Sequence, residues 1–312
     1  MPETPTLNDY IRTLALSLGF SDCGFARTTY LKPDHERFLN ALQNGYHAGM
    51  TFLERETARR FHPAEIDDSI KSAGVFLMPY YSPQAQVKGS VYRISRYALT
   101  EDYHSAILNK LNKIISELKG FFPEAFFQAY TDSGPISEKV WAREAGLGNF
   151  GKNALFLTPK GSYFFIGILL TSLELPPGTS FTEDLCNDCD LCIKACPVDA
   201  LRQPYSLDAR KCISYHTIES RKEIPVEVTS RLGGRIFGCD ICQEVCPINR
   251  SVPKPEPGLR MLPALINLRK EGFESMTEKE FQEIFRDSSM LRLKYDRYCR
   301  NLAAARQSLS EA

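Results

Sequence analysis

Ten cysteines stand in the 312-residue chain, and eight of them fall between Cys186 and Cys246. The first run, CNDCDLCIKACP, puts two residues between Cys186, Cys189 and Cys192, then three before Cys196, which is followed by Pro197. Thiolates are soft, charged donors suited to iron–sulfur chemistry. At this spacing three of them wrap one cubane while the fourth leaves on a turn toward a neighbouring cluster. The second run, GCDICQEVCP, supplies Cys239, Cys242 and Cys246 before Pro247, and Ile236 stands where a first cysteine would fall. Cys212, in KCISYHTIE, is the unassigned cysteine nearby and can fill that vacancy. Crossed ligation then gives Cys186, Cys189, Cys192 and Cys246 to one [4Fe–4S] cluster, and Cys212, Cys239, Cys242 and Cys196 to the other. The alternative is structural zinc held by four cysteines, but zinc sites need no repeated Cys-x3-Cys-Pro exits. Cys23 and Cys299, isolated in apolar or helical surroundings, are expected to be buried small residues.

A second stretch with chemical potential is AGLGNFGKN, in which Gly146 to Gly151 spell G-x-G-x-x-G. A dinucleotide loop of that pattern needs a strand before it and a helix after it. Here a helix, 136–145, runs in and a strand runs out. The glycines therefore read as a turn, with Gly146 as a helix C-cap. Asp132 ends the predicted strand AFFQAYT, at a pocket edge, and is either an acid for proton transfer or an ordinary turn or capping aspartate.

The elements that position these residues follow from periodicity. A helix is predicted for 6–19, a buried strand for Gly74 to Tyr81 and an alternating strand for Ser90 to Ala98. A long amphipathic helix follows from Glu101 to Lys119, and Pro135 suits the first turn of the helix ending at Ala145. NALFLT and SYFFIGILLTSLEL read as a β-hairpin around Pro159-Lys160-Gly161. Pro176-Pro177-Gly178 punctuates the chain before the cysteines, and SVPKPEPG, from Ser251 to Gly258, precedes a helical tail. Composition is ordinary, with 43% apolar and 24% charged residues and zero formal net charge, so overall charge gives no argument for nucleic acid. No signal peptide or membrane span is visible, and a soluble cytoplasmic protein is expected. Two clusters in series make a one-electron relay, and the large mixed segment ahead of them implies a redox site for that relay to feed.

YTDSGPISEKVWAREAGLGNFGKNALF, CNDCDLCIKACPVDAL, RKCISYHTIE and FGCDICQEVCPINR together resemble the epoxyqueuosine reductases, over nearly the whole chain. The resemblance implies an α+β architecture. A nitroreductase-like cobalamin-binding domain, 1–176, is fused to a ferredoxin-like domain with two [4Fe–4S] clusters, 177–252, and a short helical C-terminal region, 253–312, completes the chain. It implies cobalamin and two [4Fe–4S] clusters as cofactors, and two-electron reduction of the epoxide of epoxyqueuosine at the tRNA wobble position to give queuosine. The implied partners are that tRNA and an external electron donor, with no membrane, and the expected state is a monomer.

By the same resemblance Asp132 is the proton donor, with a pKa raised beneath a large apolar ring. Arg60, Ser95, Asn153, Phe156, Ile166 and Ser214, with Asp132, are the implied cobalamin contacts, and the glycine-rich turn would bring backbone close to the corrin. Asp102-x-His104 begins the pattern of proteins that ligate cobalt through histidine, but Ile107 replaces its glycine. Asp102 reads instead as a first-turn acid, and no protein histidine is expected on cobalt. Arg210, Lys211, Arg221, Lys222, Arg231 and Arg235 offer a phosphate-contacting patch that Arg292, Lys294, Arg297 and Arg300 extend. HEAT-like repeats of many family members are expected to be largely absent. Two other readings are a reductive dehalogenase and a ferredoxin-type electron carrier.

Overall fold

Two apolar runs, β2 (Ser72–Pro79) and β7 (Phe164–Thr171), lie side by side at the centre of a four-stranded antiparallel sheet. The structure, a computed structural model, describes residues 6–83, 86–87, 90–252 and 258–310. β2 is buried along its whole length, as is β7 beyond its first two residues, because both faces of the sheet are covered. Strands β1 (Asp22–Arg27) and β4 (Phe127–Tyr130) form the edges. One face packs on α1 (Leu7–Ser17) and α3 (Tyr103–Phe121). Thr6 and Asp9 close a capping box on α1, and α3 buries Ile107, Leu111, Ile114 and Leu118 in a stripe of helical period. The opposite face takes Trp141 and Ala142 of α4 (Glu138–Glu144), and Arg143 pairs both terminal guanidinium nitrogens with Asp34 of α2 (Lys32–Gln43).

Two expectations are corrected here. The stretch from Ser90 to Ala98 forms only β3 (Arg93–Ile94) and then a 3₁₀ turn, because the chain dives inward to bury Ala98 and Leu99. The hairpin around Pro159-Lys160-Gly161 keeps its turn through a Thr158–Gly161 bridge, but its strands do not pair with each other. β6 (Phe156–Leu157) pairs with β5 (Asn149–Phe150), since β2 and β4 already occupy both edges of β7. The glycine-rich turn ends α4 as expected and packs closely on the chain. Gly146 has φ +80°, a Cβ there would stand 2.6 Å from the Thr179 carbonyl oxygen, and one at Gly148 would stand 2.1 Å from that of Leu157.

The cysteine-rich segment contributes short helices, α5 (Leu191–Lys194), α6 (Ile213–Ile218), α7 (Val226–Thr229) and α8 (Ile241–Glu244), and strand β8 (Arg235–Phe237), which pairs in parallel with β3. The tail adds α9 (Pro263–Ile266), α10 (Lys270–Glu274), α11 (Glu278–Ile284) and α12 (Tyr295–Ser310). The proline-rich break at 253–257 lies outside the described residues. A second core joins all three expected segments: Tyr92, Ile94 and Leu99, then Ile213, Leu232 and Phe237, then Phe273, Phe281 and Tyr298. The helical tail is therefore half of a core and no appendage. Among the described residues no helix is long and apolar enough to cross a membrane.

Helix α12 is stapled across this core by polar groups. Asn301 is fully buried, and its Nδ2 donates to the carbonyls of Thr217 and Ile236, both at 2.8 Å. Replacing it in Asn301→Ala leaves two buried carbonyls short of a donor. The expected loss is on the order of 2 kcal/mol, seen as a lower midpoint in denaturant unfolding followed by circular dichroism. An unchanged midpoint would show that α12 is held by its apolar face alone.

Candidate active site

Strand β4 runs out at Tyr130, and Thr131 anchors the turn beyond it. Thr131 is 2% exposed, and its hydroxyl donates to the Ile166 carbonyl on β7 at 3.0 Å. Asp132 then takes φ +58°, a left-handed conformation that a non-glycine residue holds only where its surroundings fix it. Its N–H donates to the carboxyl group of Glu138, the first residue of α4. Gly134 is required by the tightness of this turn, since a Cβ there would stand 2.3 Å from the Tyr130 ring.

The Asp132 carboxylate has partners from two distant elements. Its Oδ2 accepts the Tyr103 hydroxyl at 2.8 Å and faces His104 Nε2 at 3.0 Å. The other ring nitrogen of His104 meets Asp102 Oδ1 at 2.6 Å, and Asp102 also caps α3. Burial opposes charge on this imidazole, but the two carboxylates outweigh it and raise His104 to about 9. The ring is then an imidazolium that donates from both nitrogens.

Asp132 shows the complementary change, which corrects the expected raised pKa. Burial pushes its carboxyl upward, yet the bonds from His104 and Tyr103, with the Arg292 guanidinium 3.9 Å away, hold it below its ordinary value. Glu138 is the raised carboxyl: burial and the Asp132 charge lift it to about 8, so it is a neutral acid at neutral pH. The Asp132 side chain remains 52% exposed although burial is the largest influence on it, so the carboxylate lies in an open cleft, ringed by protein yet reached by solvent. Tyr103 lies between Phe165 and His104, stacked at 3.9 and 4.0 Å, with Tyr97 edge-on to Tyr103 and Phe165. These rings are a stiff floor for the cleft.

The cysteines gather as two groups. Cys186, Cys189, Cys192 and Cys246 line one cavity of about 110 Å³, between Lys152 and Ile248. Their sulfurs surround a space in place of converging on a point, as ligands of separate irons in a cubane do. Around the Cys242 thiol stand Cys239, Cys212, Cys192 and Cys196, close enough for their charges to act on it. Backbone N–H groups of Lys152 and Ala200 point at the sulfurs of Cys186 and Cys196, at 3.4 and 3.3 Å. Burial raises the Cys239 thiol to about 11, so it becomes a thiolate at neutral pH only beside a cation. Cys23 is buried, as expected, but Cys299 is exposed. It lies a third of a turn from Tyr298, on the side of α12 away from the buried stripe of Tyr298, Asn301 and Ala305.

The other expected contacts divide between the two regions. The Arg60 carbonyl holds the Ser137 N–H and the Trp141 Nε1–H, which ties it to α4 and the Asp132 turn. Its guanidinium lies over Phe38 and its Nε is buried without a partner. Alongside, a cavity of about 460 Å³ opens between α2 and α4, with Phe38, Phe61, Val140 and Phe150 on its apolar side and Asp34, Arg37, Arg143 and Asp184 on its charged side. Phe156 and Ile166 are buried in the core beneath, with Trp141. Asn153 is spent near the clusters, its Nδ2 donating to the Cys242 carbonyl. Ser95 lines a separate pocket with Cys239, and Ser214 supports the Cys212 thiol through its backbone N–H. The basic patch also divides. Arg210 pairs with Asp208, and Arg297 and Arg300 donate to backbone carbonyls, whereas Arg221, Lys222 and Arg231 are exposed.

Sequence reasoning missed Tyr103, His104, Glu138 and Arg292 as neighbours of Asp132. The Asp102-x-His104 pair was the available signal, and its acid does more than cap a helix.

With this geometry in place, comparisons with known proteins become informative. A family model described as epoxyqueuosine reductase QueG (DUF1730) matches residues 60–133, and one for a 4Fe-4S double cluster binding domain matches residues 185–249. The chain is 38% identical over 297 residues to an epoxyqueuosine reductase of Cellulophaga algicola, covering 95% of this chain and 96% of that one. It is similar to a crystal structure of epoxyqueuosine reductase with an epoxyqueuosine-modified tRNA-Tyr stem loop, with TM-score 0.83 and 26% identity, covering 98% of this chain and 81% of that one. A Bacillus subtilis epoxyqueuosine reductase whose catalytic aspartate loop is swung out of the active site gives TM-score 0.83 at 26% identity, covering 98% of this chain and 82% of that one.

The carboxylate–imidazole chain has a measurable signature. His104 should titrate near 9 by heteronuclear NMR, and lower in Asp132→Asn, which removes one of the two charges raising it. Because its folded pKa is raised, its stabilisation is complete below the unfolded value of 6.5 and is lost as pH rises through about 9. Wild-type stability should therefore fall more steeply than that of Asp132→Asn between about pH 7 and pH 10. Titration of His104 near its ordinary value would show that the chain does not form.

Proposed function

This chain belongs to the epoxyqueuosine reductase family, and from that premise we propose how its own residues carry the reaction. It is an oxidoreductase that reduces the epoxide of epoxyqueuosine in tRNA to the alkene of queuosine. Two carbon–oxygen bonds break, two electrons and two protons enter, and the oxygen leaves as water. Cobalamin, when bound, supplies the reducing electron pair, and two [4Fe–4S] clusters supply the path by which single electrons arrive. An external donor outside this chain feeds that path, and the RNA substrate makes the cytoplasm its place of work. A monomer suffices, since one chain carries both cysteine groups and Asp132. The two other readings, dehalogenase and electron carrier, give way to a family match that covers both halves of the chain.

The chain's residues fit these groups. Eight thiols in two neighbouring groups suit two cubanes, assigned as Cys186, Cys189, Cys192 and Cys246 against Cys212, Cys239, Cys242 and Cys196. The aromatic side of the cavity beside α4 suits the face of a large apolar ring, and its charged side with the orphaned Nε of Arg60 suits an amide rim. The buried Phe156 and Ile166 back that wall, while Asn153, Ser95 and Ser214 act from the cluster side.

The observation that carries the proton assignment is the 3.0 Å contact between Asp132 Oδ2 and His104 Nε2. Asp132 is the catalytic acid, and His104 holds the proton that loads it. A substrate seated over the cleft removes water from an aspartate–imidazolium pair. Lower dielectric favours the neutral form of the pair, in which the proton has moved from Nε2 to Oδ2. Oδ2 then hands it to the departing oxygen. Asp102 keeps the ring oriented throughout, and Glu138 holds the Asp132 backbone at the cleft wall.

Two measurements test this reading. Asp132→Asn keeps the shape but removes the transferable proton. With pre-reduced, cobalamin-loaded enzyme, single-turnover formation of queuosine should slow by about 10²–10⁴-fold while cofactor binding persists. Near-normal turnover would mean that another group delivers the proton. For the clusters, Cys212→Ser should leave about four irons per chain, the content of one intact cubane. Retention of the full iron content would remove Cys212 from the ligand set.

A further inference from the structure

Beside Asp132 the protein leaves a second opening, a cavity of about 310 Å³. Tyr97 and Phe237 form its apolar side, Glu219 and Arg221 its rim after α6, and Ser289 and Arg292 its far wall on the 3₁₀ turn Ser289–Leu293 of the tail. Two independent features mark it as built for a ligand. Ser289 is 3% exposed, and its hydroxyl has no hydrogen-bond partner although it lies on the cavity wall. An orphaned buried hydroxyl is unfavourable, and a bound acceptor would remove that cost. Arg292, 54% exposed, stands 3.9 Å from both Asp132 and Glu219, outside hydrogen-bond reach of either.

Arg297 shows what a committed arginine looks like here. Its Nε and both terminal nitrogens donate to the carbonyls of Leu293, Ile218 and Arg292, so it braces the turn that carries Arg292. Arg221, Arg292 and Arg297 together set three cations against the carboxylates of Glu219 on the rim and Asp132 alongside. Such a site selects an anion rich in acceptor oxygens.

We propose that this cavity receives a phosphodiester of the RNA strand that enters with the substrate nucleoside, held by the guanidinium groups of Arg292 and Arg221 and by the Ser289 hydroxyl. The assignment rests on tRNA being the substrate, as proposed above. A phosphodiester offers two unprotonated oxygens, each able to accept more than one hydrogen bond, enough for two guanidinium groups and one hydroxyl. Arg292 also links the site to the chemistry. Its charge helps to keep Asp132 ionised. Drawn to a phosphate, it releases that hold, and Asp132 takes up a proton more readily once RNA is seated.

The test uses full-length enzyme loaded with cobalamin and clusters, and an unmodified anticodon stem–loop RNA read by fluorescence anisotropy. Arg292→Ala should weaken binding by about tenfold and reduce the slope of log affinity against log salt by about one. Arg292→Lys should restore part of the affinity. Ser289→Ala should weaken RNA binding without lowering the thermal midpoint, because it removes an orphaned hydroxyl and breaks no existing bond. Unchanged affinity and salt slope in Arg292→Ala, with iron content intact, would overturn the proposal. So would an unchanged slope with weaker binding of the free epoxyqueuosine nucleoside, which would give the cavity to the modified base. Inorganic phosphate should compete with the stem–loop at wild type and far less at Arg292→Ala; equal competition would place the phosphate site elsewhere. Should wild type bind RNA with these properties yet convert no epoxyqueuosine, the functional reading fails and the phosphate site stands.

Discussion

A carboxylate sunk into protein stays charged only where donors replace the water it has lost. Asp132 is in that position, and much of the surrounding architecture supplies its donors. The sheet delivers it through the Thr131–Ile166 anchor, α3 brings Tyr103 and His104, α4 brings Glu138, and the tail brings Arg292. Two segments remote in sequence, α3 and the tail, join the adjacent turn and α4 at one side chain. Because the partners bring protons and charges to it, the site behaves as a titrating group of residues and not as a lone acid.

The second core explains how the tail can be trusted to deliver Arg292. Asn301, Arg297 and Arg300 all donate to carbonyls around α6 and β8, so the helix that follows Arg292 is tied to the cysteine segment. The cysteine segment in turn meets the first domain through the β3–β8 pair and the Asn153–Cys242 bond. Movement of the clusters relative to the cleft would break these polar contacts, several of them buried.

The cysteine runs were legible as a double-cluster segment because their information is local, carried by short spacings along the chain. Helices α1, α3 and α4 and strands β2 and β4 were legible from period and flanking residues. What could not be read was pairing. Whether β6 joins β7 or β5 depends on which edges of β7 are already taken, and that is settled by β2 and β4. The acidity of Asp132 was misjudged for a related reason. Burial was foreseeable, but the donors that reverse its effect lie 28 residues away on α3 and far downstream on the tail. Cys299 was misplaced because one step along a helix decides whether a thiol faces core or water.

The reach of the second core also sets an order of events during synthesis. The cores around the sheet have all their buried members by Leu175, whereas the second core lacks a wall until Ala305 has been made. The eight cysteines, 186 to 246, leave the ribosome between those points. At about 5–20 residues per second, they spend on the order of seconds beside a folded first domain with no α12 to cover α6 and β8. Until then α6 and β8, which flank the second cysteine group, lack the helix that buries them.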